Sequence, residues 1–212
     1  MKIVAVLFIL VFFVSNVYSQ NADINLLKEI NLHRCKSLDP TFKFITNTAS
    51  PVAVATPLVI YSIGLAKDDS LLKKKAIYIG ETFIVSAIIT NTLKYTIKRD
   101  RPFITCPNIE KVTTGGSPSF PSGHTSDAFA TATSLSIAFP KWYVIAPSFL
   151  WASVVGYSKM DLGVHYPSDV LAGAAIGAVS AILTYKLNRW LSKSNHKFQV
   201  SLQLSYWGNN YY

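Results

Sequence analysis

The stretch ITNTASPVAVATPLVIYSIGLA, residues 45–66, holds no Asp, Glu, Lys or Arg and is long enough to cross the hydrocarbon core of a bilayer. Its reading decides the fold class, because the segments around it repeat the same pattern. Upstream, residues 21–41 mix Ile24, Leu26, Leu27, Ile30 and Leu32 with polar side chains, as an amphipathic helix at a membrane interface would. Downstream, Lys67, Asp68 and Asp69 with Lys73, Lys74 and Lys75 form a charged break before a second apolar stretch, 76–98. A loop rich in Pro, Gly, Ser and Thr, 102–121, leads to helices expected at 124–139, 142–157 and 168–188, punctuated at Pro140 and at 163–167. All are dense in small residues, which let helix backbones approach closely in lipid. The expected fold is all-α, a transmembrane bundle of about five core helices. Several of them sit at the short end for a span and carry Glu81 or Asp127, so an exported soluble helical bundle is the alternative.

Bulk properties point the same way. The chain has 212 residues, enough for one domain with a full core; half are hydrophobic and 15% charged. The mean hydropathy is +0.30, high for an ordinary soluble enzyme. A net charge of +9 suits anionic partners such as phosphate esters or anionic membrane lipids. Nucleic acid is not expected, since the basic residues are scattered and no nucleic-acid-binding motif occurs. At the N-terminus, Lys2, the apolar run 3–14 and Val17-Tyr18-Ser19 read as an export signal, 1–19, cleaved after Ser19, or as an uncleaved first membrane helix. With the signal removed, five crossings would place 73–75 and 186–197 inside, and 99–123 and 158–167 outside. The two cysteines, Cys35 and Cys106, are expected to be free thiols, with a disulfide between them, which an exported protein could form, as the alternative. The tail, 199–212, reads as a short strand or a disordered end of unknown role.

Three clusters carry chemistry. Lys94 and Arg101 share a face if the helix runs through both, and Pro102 would then stop it; such a pair can dock a dianion. Pro121-Ser122-Gly123-His124 opens a helix, with Ser122 suited to the N-cap and Gly123 allowing close approach of a phosphate to the helix start. Ser158-Lys159, His165 and Asp169 form the third; Pro167 suits a first helical position, so Asp169 can reach back to fix the tautomer of His165. Taken singly, each also reads as ordinary structure: a solvated basic run through Lys98, Arg99 and Arg101, a capped helix, a loop staple. Together they hold two of the chain's four histidines and supply what phosphoryl transfer needs, namely fixed positive charge and an oriented nucleophile.

Their order and spacing resemble the type 2 phosphatidic acid phosphatase superfamily, which also includes vanadium haloperoxidases. Its signature, Lys-x6-Arg-Pro, Pro-Ser-Gly-His and Ser-Arg-x5-His-x3-Asp, is matched by Lys94 to Pro102, Pro121 to His124, and Ser158 to Asp169. Lys159 departs from it, standing where the family usually has Arg; the charge is kept and the planar fork is lost. The resemblance implies a metal-independent phosphatase domain over 20–198, in the membrane lipid phosphatase branch. It further implies that His165 attacks phosphorus, Asp169 orients it, and His124 protonates the leaving group. Lys94, Arg101, Ser122, Gly123 and Lys159 would hold the phosphoryl oxygens, with no cofactor. The implied substrates are lipid phosphates or pyrophosphates at the outer face of a bacterial inner membrane. Alternatives are a soluble periplasmic acid phosphatase of the same superfamily, a vanadium haloperoxidase, and a catalytically inactive membrane scaffold.

Overall fold

The computed structural model describes residues 20–194; the expected signal segment and the tail lie outside them. Among the described residues there is no strand. The helices are α1 (Gln20–Leu32), α2 (Asp39–Asn47), α3 (Ala49–Ala66), α4 (Ser70–Ile97), the short α5 (Pro102–Thr105), α6 (Gly123–Ala138), α7 (Trp142–Asp161) and α8 (Pro167–Ser194), with a 3-10 turn at Lys36–Leu38. The five expected core helices correspond to α3, α4, α6, α7 and α8.

Helix boundaries follow from local chemistry, and three differ from expectation. The single amphipathic helix expected over 21–41 is broken into α1, the 3-10 turn and α2, because Pro40 starts a new helix at its first turn. α4 begins at Ser70, so Lys73, Lys74 and Lys75 lie within the helix instead of in a break. The Asp69 carboxylate accepts from the Leu71 and Leu72 N–H groups at 2.9 and 3.0 Å and caps the helix there. The charges are accommodated at this end: Lys73 pairs with Asp68 at 3.0 Å, and Lys75 lies 4.5 Å from the centre of the Phe139 ring. At its other end α4 stops at Ile97, where Lys98 adopts a left-handed conformation with φ of 52°. Lys94 and Arg101 therefore do not share one helix, and no common helix face pairs them; Arg101 is an extended residue at the start of α5.

α6 is the hub of the bundle, in contact with α3, α4, α7 and α8. Its Ala128, Ala130 and Ala132 are fully buried, small enough for neighbours to pack against the backbone. The closest approach is to α8: a methyl group added at Gly173 would lie 2.5 Å from the Ser122 carbonyl oxygen, and one at Gly177 would collide with the Ser126 carbonyl. Three helical stretches, Lys36–Ala66, Ser70–Thr105 and Pro167–Leu191, are long and apolar enough to cross a membrane. α6 and α7 are not among them. Ile84, Ile88, Leu171 and Trp190 are exposed on the membrane-length helices, as a lipid surround requires.

Candidate active site

The site forms at the end of the bundle where α4 stops and α6 and α8 start. The chain reverses sharply after α7. Gly163, with φ of 71°, returns it so that Val164 and His165 donate their N–H groups to the Lys159 carbonyl at 3.1 and 3.3 Å. A side chain at Gly163 would also collide with the Glu110 carbonyl. This turn sets His165 beside the start of α8. The Ser122 N–H donates to the Asp169 carbonyl at 3.0 Å, which fastens the start of α6 to the same place.

His165 is almost fully buried, and Asp169 completely so. His165 Nδ1 lies 3.4 Å from Asp169 Oδ2, and Arg101 Nη1 lies 3.4 Å from His165 Nε2. A guanidinium can only donate and a carboxylate only accept. The ring therefore carries its proton on Nδ1 and turns the Nε2 lone pair toward Arg101. Burial, opposed by Asp169 and reinforced by Arg101 and Lys94, pushes the His165 pKa down to about 4, so the ring is neutral at physiological pH.

The cations around Nε2 are held mainly by backbone oxygens. Lys94 Nζ donates to the Pro118 and Pro121 carbonyls at 2.8 and 2.9 Å, leaving one N–H free. Arg101 donates from Nε to the Ser117 carbonyl and from Nη1 to the Val164 carbonyl, both at 2.8 Å. Lys159 is buried, and burial followed by the charge of Arg101 pushes its pKa down to about 8. His124, in the first turn of α6, feels Lys159, His165, Arg101 and Lys94 together. Burial first, then those charges, pushes it down to about 3. Buried cations beside neutral imidazoles are arranged to receive an anion.

All eight residues picked from the sequence lie at this end of the bundle. Ser122 stands at the N-cap position of α6, but its hydroxyl pairs with Thr125 Oγ1 at 2.8 Å and does not cap the helix. Two residues escaped the sequence reading. The fully buried Ser119 donates to Asp169 Oδ2 at 2.5 Å, and Arg99, read there as part of a basic run, donates to Asp169 Oδ1 at 2.7 Å. Nothing in the sequence pairs these positions, since the contacts span 50 and 70 residues. Cys35 and Cys106 are free, as expected.

Fold and site together define a helical membrane protein with a buried cluster of cations and imidazoles at one end of its bundle. The chain belongs to the PAP2 superfamily, whose family model matches residues 75–193. It is 27% identical over 156 residues to the undecaprenyl-diphosphatase BcrC of Bacillus subtilis, covering 74% of this chain and 78% of that one. To the lipid A 1-phosphatase of Porphyromonas gingivalis it is 37% identical over 107 residues, 49% of this chain but 21% of the relative. The crystal structure of a transmembrane PAP2 type phosphatidylglycerolphosphate phosphatase from Bacillus subtilis superposes with a TM-score of 0.72 at 23% identity. That superposition covers 92% of this chain and 98% of the other, a likeness of fold.

Proposed function

We propose that this PAP2 phosphatase hydrolyses a terminal phosphate monoester or pyrophosphate of a membrane lipid through a phosphohistidine on His165. The observation that carries the reading is the imidazole held between Asp169 and Arg101, with its unprotonated Nε2 on the cationic side. Lys94, Arg101, Lys159, the Ser122 hydroxyl and the backbone at Gly123 bind the phosphoryl oxygens and neutralise the charge that spreads over them in the transition state. Nε2 attacks phosphorus, a P–N bond forms, and the P–O bond to the lipid breaks. His124 gives its proton to the departing oxygen. In the empty site that ring is neutral; a bound dianion offsets the surrounding cations and favours its uptake of a proton. His124 then takes a proton from water, whose oxygen attacks phosphorus, breaks the P–N bond and releases inorganic phosphate. Asp169 keeps the Nδ1 proton throughout and compensates the positive charge on the phosphorylated ring.

The site faces the outer side of the membrane on this reading. Lys73, Lys74 and Lys75 at the start of α4, with Lys186 and Arg189 late in α8, gather at the opposite end of the bundle. An excess of Lys and Arg favours the cytoplasmic side. The site end is basic too: Lys94, Arg99, Arg101 and Lys159 there are committed to the site, and Lys98 and Lys111 are exposed beside it, so the orientation rests on the density of Lys73 to Lys75 at the other end. The exposed apolar faces of the long helices favour a lipid substrate over the soluble acid phosphatase alternative. Phosphate release by the purified protein across undecaprenyl pyrophosphate, lipid A, phosphatidylglycerolphosphate and a water-soluble aryl phosphate tests this. Turnover of at least one lipid well above the aryl phosphate is expected; turnover of the aryl phosphate alone would refute the lipid assignment.

A further inference from the structure

Arg99 lies on the far side of Asp169 from the imidazole, and its contacts set it apart from the cations of the cradle. Nη1 donates to Asp169 Oδ1 and to Ser168 Oγ, both at 2.7 Å. Nη2 donates to Asp23 Oδ2 at 2.8 Å, and the guanidinium lies 3.8 Å from the centre of the Tyr166 ring. The Tyr166 hydroxyl is fixed in turn by Thr105 Oγ1 at 2.6 Å. Both terminal nitrogens of Arg99 are thus engaged by carboxylates, so its fork is not offered to substrate.

Asp23 belongs to α1. It is buried, accepts the Ser168 N–H at 2.9 Å, and takes the Ser168 hydroxyl at 2.5 Å on the same oxygen that meets Arg99. One basic group and two carboxylates therefore join three separate segments: α1, the chain between α4 and α5, and the start of α8. At its other end α1 is fastened independently. Asn31 bonds the Glu110 N–H and the Asp161 carbonyl at 2.9 and 2.8 Å, and Arg34 pairs with Asp39 and Glu110. The second anchor leaves Asp169 untouched.

We infer that Arg99 is a positioning residue that holds the Asp169 carboxylate in the orientation His165 needs, and that Asp23 makes α1 a structural part of the active site by fixing Arg99. This rests on the phosphohistidine reading. Asp169 Oδ2 already takes the Ser119 hydroxyl and the Tyr166 N–H, so Arg99 is what fills Oδ1 and stops the carboxylate from swinging. Arg99 also balances the negative charge facing the imidazole. The groups acting on His165 are Asp169 from α8, Lys94 from α4, Arg101 beside α5, and His124 from α6. Lys159 of α7 acts on His124 and is itself acted on by Arg101. Removing the Arg99 charge leaves Asp169 less compensated, and the ring then takes up a proton at higher pH.

The experiment uses the full chain in detergent with dioctanoyl phosphatidic acid, or the best lipid of the substrate panel, over a pH series. For Arg99→Gln, kcat is expected to fall roughly tenfold or more while KM stays within about twofold. The acid limb of kcat/KM is expected to move up by roughly one pH unit. Arg99→Lys should restore the limb, and the isosteric Asp23→Asn should give a partial loss of kcat in an intact fold. Asp23→Asn should add little once Arg99 is already Gln, because the two act in series. Arg34→Gln, which loosens the other anchor of α1, should leave the pH profile unchanged. An unmoved acid limb in Arg99→Gln, a raised KM with kcat intact, or full additivity of the two substitutions would overturn the inference while the phosphatase reading stands. Absence of turnover in the unmodified protein with every lipid would overturn both.

Discussion

Replacing Gly173 with Ala tests whether the spacing of α6 and α8 controls the chemistry. A methyl group at this position would sit 2.5 Å from the Ser122 carbonyl oxygen, 3.2 Å from Thr125 Cβ and 3.3 Å from the Ser126 nitrogen. Two of these three are backbone atoms of the turn that carries His124, and they cannot swing aside. Ordinary contact begins at 3.4 Å, so the helices must part by close to 1 Å at this point. His165 and Asp169 belong with α8, Ser122, Gly123 and His124 with α6, and the displacement separates the proposed nucleophile from its proposed acid. A shift of about 1 Å in a reacting geometry costs roughly a hundredfold in rate. Overpacking costs about 1–3 kcal/mol, and the better helix propensity of Ala returns up to about 1 kcal/mol of that. Gly173→Ala should thus lower kcat about a hundredfold while thermal unfolding shifts only modestly. Gly156→Ala is the control: its methyl group meets only side-chain atoms, the nearest being Val170 Cγ1 at 3.1 Å and Thr125 Cγ2 at 3.4 Å, so a give of a few tenths of an ångström suffices and turnover should stay near normal. Phosphate-release kinetics beside a melting curve read both quantities. Turnover of Gly173→Ala within about twofold of the unmodified enzyme would refute the argument that this spacing sets the rate.

Three further outcomes are expected. Asp169→Asn removes a charge that meets His165, Ser119, Tyr166 and Arg99 and forces an amide N–H against at least one donor. kcat should fall by roughly a thousandfold, and a loss under about threefold would mean that Asp169 does not orient the ring. With His165 held at about 4 and Lys159 at about 8, the free enzyme's kcat/KM should carry an acid limb and an alkaline limb at those values, the proton that His124 uses arriving on a singly protonated substrate phosphate. Activity falls below the lower value as the His165 imidazole gains a proton and loses its lone pair, and above the upper as Lys159 loses its charge. Lys159→Arg should keep activity and carry the alkaline limb upward, since a guanidinium stays charged; an unchanged limb would assign it to another group.

Much of this was legible in the sequence, for identifiable reasons. The uncharged run 45–66 and the apolar stretches that follow it announce helices because apolar length and stop signals are local properties. The clusters at 94–102, 121–124 and 158–169 carry the site because their spacing is compact and their residue types are chemically unusual. What escaped depended on tertiary closure. The left-handed Lys98 ends α4 before Arg101, so those cations meet through the loop at 117–121 and not along one helix face. α4 starts six residues early because one carboxylate, Asp69, caps it, a detail that three successive lysines obscured. Arg99 and Ser119 could not be assigned because their partner, Asp169, is remote in sequence, and a basic run is an ordinary surface feature.

The central claim is a covalent bond from the His165 imidazole to phosphorus, and rapid quenching tests it directly. Protein mixed with a radiolabelled lipid phosphate and stopped in alkali should carry label as an acid-labile, base-stable phosphoramidate on the peptide containing His165. His165→Ala should trap none. Label that persists in His165→Ala, or maps to another residue of the active enzyme, would contradict the account.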